Sequence, residues 1–156
     1  MTGSKSFKEI VAWQKAHVFV LAVYKATEKF PKTEVYGLTS QFRRASVSIA
    51  ANIAEGYKKK GKKDKLRFFN IAQGSLEECR YFILLSSDLN YINNQQELDG
   101  MIEEASKLLN AYCKSILNSL TPWIPMSTFE REIQHLDWDQ VKDSIYSKTA
   151  KDVESA

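Results

Sequence analysis

Apolar residues recur three or four positions apart along four successive stretches, and between them lie short breaks of proline, glycine, asparagine or lysine. That period is helical. The first stretch, about residues 9–30, spaces Ile10, Trp13, His17, Val20 and Tyr24 in this way and stops at Pro31, which cannot continue a helix. After a turn at Val35, Tyr36 and Gly37, the second sets Phe42, Ala45, Ile49 and Ile53 on one stripe. It is expected to close at Gly56, where a left-handed cap costs least. The third, about residues 63–91, aligns Phe69, Ala72, Leu76, Cys79 and Ile83, with Asn93 and Asn94 supplying the turn. The fourth, about residues 95–120, carries Leu98, Met101, Ile102, Ala105, Leu108, Leu109, Tyr112 and Ile116 and ends before Pro122 and Pro125.

Short connections force neighbouring helices to run antiparallel. The pattern therefore predicts an all-α chain: an antiparallel up-down four-helix bundle over residues 7–120, followed by a C-terminal extension over residues 121–156. In that extension residues 121–127 read as a linker. Ser127 with Glu130, and Asp137 with Gln140, have the capping-box spacing of two short helix starts.

The polar positions distinguish the four helices. The third and fourth keep a wet side, with Glu77, Glu78 and Arg80, and with Glu103, Glu104 and Lys107. The first two do not: residues 16–24 and 45–54 contain no charge, although a bundle gives each helix only one inward stripe. The extra apolar surface must be covered by the C-terminal extension or by another subunit, and a homo-oligomer built through these two helices is expected, with Phe19 in the first. The small residues Ala45, Ser48, Ala51 and Ala54 would permit close helix approach. Arg43, Arg44, Ser48, Asn52 and Glu55 add polar groups to the second helix, as an oligomer interface or a structural network.

Composition changes the picture chiefly through charge. The net charge is only +3, yet residues 1–67 hold 15 of the 22 Lys/Arg and 5 of the 19 Asp/Glu. Seven of those cations, Lys58, Lys59, Lys60, Lys62, Lys63, Lys65 and Arg67, fall at the turn between the second and third helices with one acid, Asp64. Their mutual repulsion becomes binding energy against phosphates, so this corner is the candidate nucleic-acid-binding site, RNA or DNA. The same run could instead be a solvating loop, or meet an acidic protein or anionic lipid. Lysines beside Tyr57, Phe68 and Phe69 resemble the cation and aromatic mixture used on single strands, although both phenylalanines fall at core spacing. The extension carries a net −3 from its 4 Lys/Arg and 7 Asp/Glu, which raises the expectation that it covers the corner.

Catalytic chemistry finds no foothold. His17 and His135 have no ligand or relay spacing, and His17 reads as a structural histidine. Cys79 and Cys113 sit on core stripes of different helices without a CxxC. No phosphate-cradling glycine loop or nucleophile elbow occurs, and neighbouring Glu77 and Glu78 diverge by about 100° on a helix. The chain is expected to be no enzyme and to need neither cofactor nor metal. Two cysteines, no secretory signal and no membrane-length apolar run place it in the cytoplasm, off the membrane.

Seven segments then point to a family: Trp13-Gln14-Lys15-Ala16, Phe30-Pro31, Glu34-Val35-Tyr36-Gly37-Leu38, Gln41-Phe42-Arg43-Arg44-Ala45, Ser48-Ile49, Asn52-Ile53-Ala54-Glu55-Gly56, and Ala72-Gln73-Gly74-Ser75-Leu76-Glu77-Glu78. Over about residues 7–120 the chain resembles the bacterial four helix bundle proteins, also called the 23S ribosomal RNA intervening-sequence proteins. The resemblance implies a barrel-like homopentamer, encoded in some members within sequences that interrupt ribosomal RNA genes. A related branch is the accessory variability determinant of diversity-generating retroelements, a basic pentamer that binds nucleic acid and a reverse transcriptase. Carried over residue by residue, Arg43, Arg44, Asn52 and Glu55 become assembly or structural positions with no catalytic role. The function expected is a non-catalytic, oligomeric nucleic-acid-binding scaffold; the alternative is a protein-interaction scaffold with no nucleic-acid role.

Overall fold

The computed structural model of the protein describes residues 5–120; the C-terminal extension, with its expected linker, helix starts and corner-covering role, lies outside the described residues. Four α-helices form: α1 (Val11–Thr27), α2 (Leu38–Lys58), α3 (Lys62–Asp88) and α4 (Gln95–Asn118), with short 3-10 turns at Phe7–Glu9 and Lys32–Glu34. No strand occurs among the described residues. Each of α1 and α3 packs on both α2 and α4, while the diagonal pairs make no backbone contact. That closed square is the up-down bundle. Its antiparallel sense shows in the pairs across α3 and α4: Gln73 bonds Asn110, and Arg80 bonds Glu103 one step on along α3 and one step back along α4.

The stripes predicted for α2 and α3 are buried throughout: Phe42, Ala45, Ile49 and Ile53 face Phe69, Ala72, Leu76, Cys79 and Ile83 across one core. Helix α4 contributes Leu98, Ile102, Ala105, Leu109 and Ile116, with Met101, Leu108 and Tyr112 at the margin. Phe42 is the centre of an aromatic row, 6.4 Å from Phe19 on α1 and 5.8 Å from Phe82 on α3 by ring centroids.

Helix α1 is rotated from its expected phase. Its buried line is Ala12, Ala16, Phe19, Val20, Val23 and Thr27, whereas His17 and Tyr24 are exposed and Trp13 is half-buried. Ala12 and Ala16 share the inward side with Phe19, Val20 and Val23, while Trp13, His17 and Tyr24 lie towards the rim. His17 is therefore a surface residue, stacked on Trp13 at 5.0 Å with the rings 7° from parallel.

The helix ends also differ in mechanism from the expectation. Gly56 is no left-handed cap: α2 continues to Lys58, and none of the described glycines has a positive φ. A side chain at Gly56 would place Cβ 2.6 Å from Cε1 of Phe69, so the glycine serves close packing of α2 on α3. At the other end, α3 closes on Asn90, with φ 57°. Its N–H bonds the Ser87 carbonyl at 2.9 Å and the Tyr91 N–H reaches the Ser86 carbonyl at 2.8 Å, a Schellman closure. Asn93 and Asn94 lie in the connection between α3 and α4 as expected, with Asn94 immediately before α4.

Candidate nucleic-acid interface

The lysine corner is split by the fold into two sets of cations. Lys65 is folded back under the turn: its Nζ donates to the carbonyls of Gly56 at 3.1 Å and Tyr57 at 2.6 Å. An ammonium there meets the negative end of the α2 dipole and shares the Gly56 carbonyl with the Lys59 N–H. Partial burial pulls its pKa below the ordinary lysine value. Lys62 donates to the Ser119 carbonyl at 3.0 Å, fastening the end of α4 to the start of α3. Lys59 pairs with Glu55 at 3.6 Å, and Arg67 lies 3.9 Å from Asp64. Lys59 and Arg67 also lie over the Phe68 ring, 4.6 and 5.0 Å from its centroid.

Lys58, Lys60 and Lys63 form the second set. All three are exposed, and none has a partner among the described residues. Seven cations predicted as one site thus separate into four with partners inside the fold, of which Lys62 and Lys65 tie the turn to helix-end carbonyls, and three without a partner among the described residues. The sequence signal for the distinction is weak, since every one of the seven is a lysine or arginine within the same short run.

The polar motif of α2 is used mostly inside the protomer. Ser48 and Ser75 join α2 to α3 through a 2.8 Å hydroxyl bond, and Asn52 donates to both the carbonyl and the hydroxyl of Ser48. The small residues therefore bring α2 against its own neighbour: Ala45 is buried, Ala54 is half-buried, and Ala51 alone of that set is exposed. Arg43 reaches α1, where Nε donates to Thr27 Oγ1 at 2.8 Å, a guanidinium N–H meets the Tyr24 carbonyl at 3.4 Å, and the guanidinium covers the Tyr24 ring at 4.6 Å. Thr27 in turn donates to the Val23 carbonyl. The arginine thus straps the end of α1. Glu55 is taken by Lys59. Phe19 is fully buried, so it belongs to the protomer's core and not to a surface between subunits. Of the six residues expected as interface or network, only Arg44 projects outward without a partner among the described residues.

Apolar surface nevertheless remains on the outside of the first two helices. Val18 and Leu21 on α1 and Val47 on α2 are exposed, Leu21 by 57%. A groove of about 620 Å³ runs between them at the far end of the bundle from the lysines, lined by Tyr24, Pro31, Val35, Arg43, Arg44 and Val47. The expected wet side of α3 and α4 is present in the Arg80–Glu77, Arg80–Glu103 and Lys107–Glu103 pairs, while Lys15 on α1 meets Glu104 at 3.0 Å. The outer side of α3 also exposes Ile71, Tyr81 and Leu84, which the charged residues between them had obscured.

The segment Glu34-Val35-Tyr36-Gly37-Leu38 divides by role. Glu34 accepts from the Leu38 N–H at 2.9 Å and from the Tyr91 hydroxyl at 3.3 Å, placing a carboxylate on the positive end of α2. Gly37 leaves room for it, since a Cβ there would lie 2.5 Å from Glu34 Oε2. Burial first, and then the neighbouring Glu34 charge, raises the Tyr91 pKa. Tyr36 makes no comparable contact and is 97% exposed. The sequence pattern places Val35 and Tyr36 only in a turn and misses them as a surface feature; the signal is a pair of large apolar residues at a helix entry whose polar neighbours do the capping.

No helix among the described residues is long and apolar enough to cross a membrane, and they contain no group of three or more His, Cys, Asp or Glu that could hold a metal ion. Cys79 and Cys113 are buried and reduced, and burial raises both thiol pKa values.

Comparison with known proteins agrees with this architecture. A crystal structure of a protein of unknown function from the S23 ribosomal protein family of Bacteroides thetaiotaomicron superposes with a TM-score of 0.62 at 23% identity, covering 67% of this chain and 96% of that one. That likeness concerns the fold. No curated protein matches the chain significantly. The sequence model of the 23S rRNA-intervening sequence proteins matches residues 8–111, most of the bundle, and on that match the chain belongs to the 23S rRNA-intervening sequence protein family.

Proposed function

We propose that this protein is a non-catalytic, cytoplasmic, oligomeric scaffold that binds nucleic acid at its lysine corner. The observation that carries the reading is the exposed, unpartnered charge of Lys58, Lys60 and Lys63 on a turn whose other four cations have partners among the described residues. Lys62 and Lys65 are bonded to helix-end carbonyls, and Lys59 and Arg67 have nearby acidic partners, so the remaining three are the cations most available to phosphates. The apolar outer surface of α1 and α2 supports self-association. The family resemblance adds the expectation of a homopentamer, in which the corner is repeated and several copies engage one polyanion. Acids that pair with bases along the helix surfaces, and thiols withdrawn into the core, support the non-catalytic part.

A mobility-shift titration with RNA and DNA tests this directly. Three phosphate contacts per corner imply an affinity falling about 40-fold between ~50 and ~200 mM salt, from a slope of about −0.9 per phosphate. Replacing Lys58, Lys60 and Lys63 together by glutamine removes that dependence. Absence of binding at low salt refutes the reading, as does unchanged binding by the triple variant. Sedimentation tests the assembly: the expected mass is about five times the 17.9 kDa protomer, and a monomer at micromolar concentration rejects it. The groove beside Val35 and the exposed Tyr36 favour a second reading, a protein-interaction scaffold whose partner, such as a reverse transcriptase, docks at the other end. In that case Tyr36→Ser abolishes partner capture and the lysine variant does not.

A further inference from the structure

We propose that the corner takes the phosphate backbone of a double helix, and not the bases of a single strand; this rests on the nucleic-acid reading above and narrows its ligand. Proteins that hold single strands combine cations with aromatic faces on which bases stack. The sequence places aromatics among these lysines, but in the fold each of these rings already has a cation or another ring as its partner. Phe68 is covered by the Lys59 ammonium at 4.6 Å and the Arg67 guanidinium at 5.0 Å. Tyr57 has the Lys65 ammonium 5.4 Å from its centroid. Phe69 is fully buried and packs on Tyr112 with centroids 5.3 Å apart. Trp13, at the same end of the bundle, is stacked by His17 and met edge-on by Phe7 at 4.9 Å.

The cations that lie over the rings are thus the ones already partnered within the fold. Those left over, Lys58, Lys60 and Lys63, stand exposed about the turn between antiparallel helices, and none of them lies over a ring among the described residues. Exposed point charges without a stacking surface respond to charge density. A duplex offers one phosphate per ~1.7 Å of axis against one per ~3.4 Å along a single strand, and it releases ~0.9 against ~0.7 counterion per contact. For three contacts that difference amounts to about sixfold tighter duplex binding at ~50 mM salt. With no donor or acceptor aimed at a base edge, the affinity is indifferent to sequence.

The test is fluorescence anisotropy on the full chain with four labelled probes of equal length: an RNA duplex, a DNA duplex and one strand of each. Both duplexes are expected to bind about sixfold more tightly than their strands. Exchanging a mixed-sequence strand for a pyrimidine homopolymer is expected to change nothing, and Phe68→Leu to leave every affinity within about twofold. The Lys58→Gln, Lys60→Gln, Lys63→Gln variant weakens all four. Tighter binding to single strands, or a loss on Phe68→Leu confined to them, overturns this inference while leaving the broader reading intact. Because the duplex and homopolymer comparisons use the unmodified protein, they remain decisive even if Phe68→Leu fails to fold. Failure of the unmodified protein to bind any probe overturns both.

Discussion

Replacing Gly56 by alanine should destabilise the protein, although Gly56 lies inside a helix where alanine is normally the better residue. The helical preference of alanine over glycine amounts to about 1 kcal/mol. Opposing it, the new Cβ would lie 2.6 and 2.9 Å from two carbons of the Phe69 ring and 3.1 Å from Phe68 Cβ, against the ~3.5–4.0 Å of ordinary carbon contacts. Phe69 is fully buried and packs on Tyr112, so the ring has little room to yield. Overpacking of this kind costs about 2 kcal/mol, which leaves a net loss of about 1 kcal/mol. Gly100 is the control: it is exposed on α4 with nothing within 4 Å of an added methyl group, so alanine there should gain about 1 kcal/mol. Thermal unfolding followed by far-UV circular dichroism, at one protein concentration, should separate the two variants by about 4–8 °C. If Gly56→Ala stabilises as much as Gly100→Ala does, the account of the α2–α3 contact is wrong.

Arg43→Met removes the strap on Thr27 and Tyr24 and should cost about 1–2 kcal/mol in urea unfolding; a change below ~0.5 kcal/mol would show that the strap does not hold α1. The hydrogen bond from Arg80 holds the Glu103 carboxyl below the usual carboxylate range. Its contribution is therefore present above the unfolded carboxyl pKa and disappears as pH falls through the lower native value. Glu103→Gln should flatten the decline in melting temperature between about pH 5 and pH 3, and parallel curves for the two proteins would contradict the assignment. With burial raising the Cys79 and Cys113 pKa values, a thiol reagent at about pH 8 should label neither in the folded protein and both after denaturation; rapid labelling of the native chain would contradict their place in the core.

The legibility of the fold depended on where charge falls. Helices α3 and α4 carry Glu77, Arg80, Glu103 and Lys107 on the side away from their apolar stripes, so the phase of each stripe is fixed from both directions. Helix α1 lacks that counter-signal over residues 16–24, and side-chain size favours Trp13, His17 and Tyr24 where the bundle buries Ala12, Ala16 and Val23. The helical period was present; its orientation was not, because an uncharged helix leaves the choice of buried side to the neighbours that pack on it.

The corner and the polar motif show the same division at the level of single residues. Sequence alone determined four helices, their order, the turn at which seven cations gather, and the family to which the pattern is similar. Tertiary structure decided that Lys65 and Lys62 are committed to carbonyls at helix ends while Lys58, Lys60 and Lys63 are not. It also decided that Arg43 binds α1 while Arg44 faces outward. The physical reason is that a residue's type and helical phase follow from the chain. Its partner depends on which acceptor or ring another helix brings within about 3–5 Å, and that distance exists only after the helices have packed.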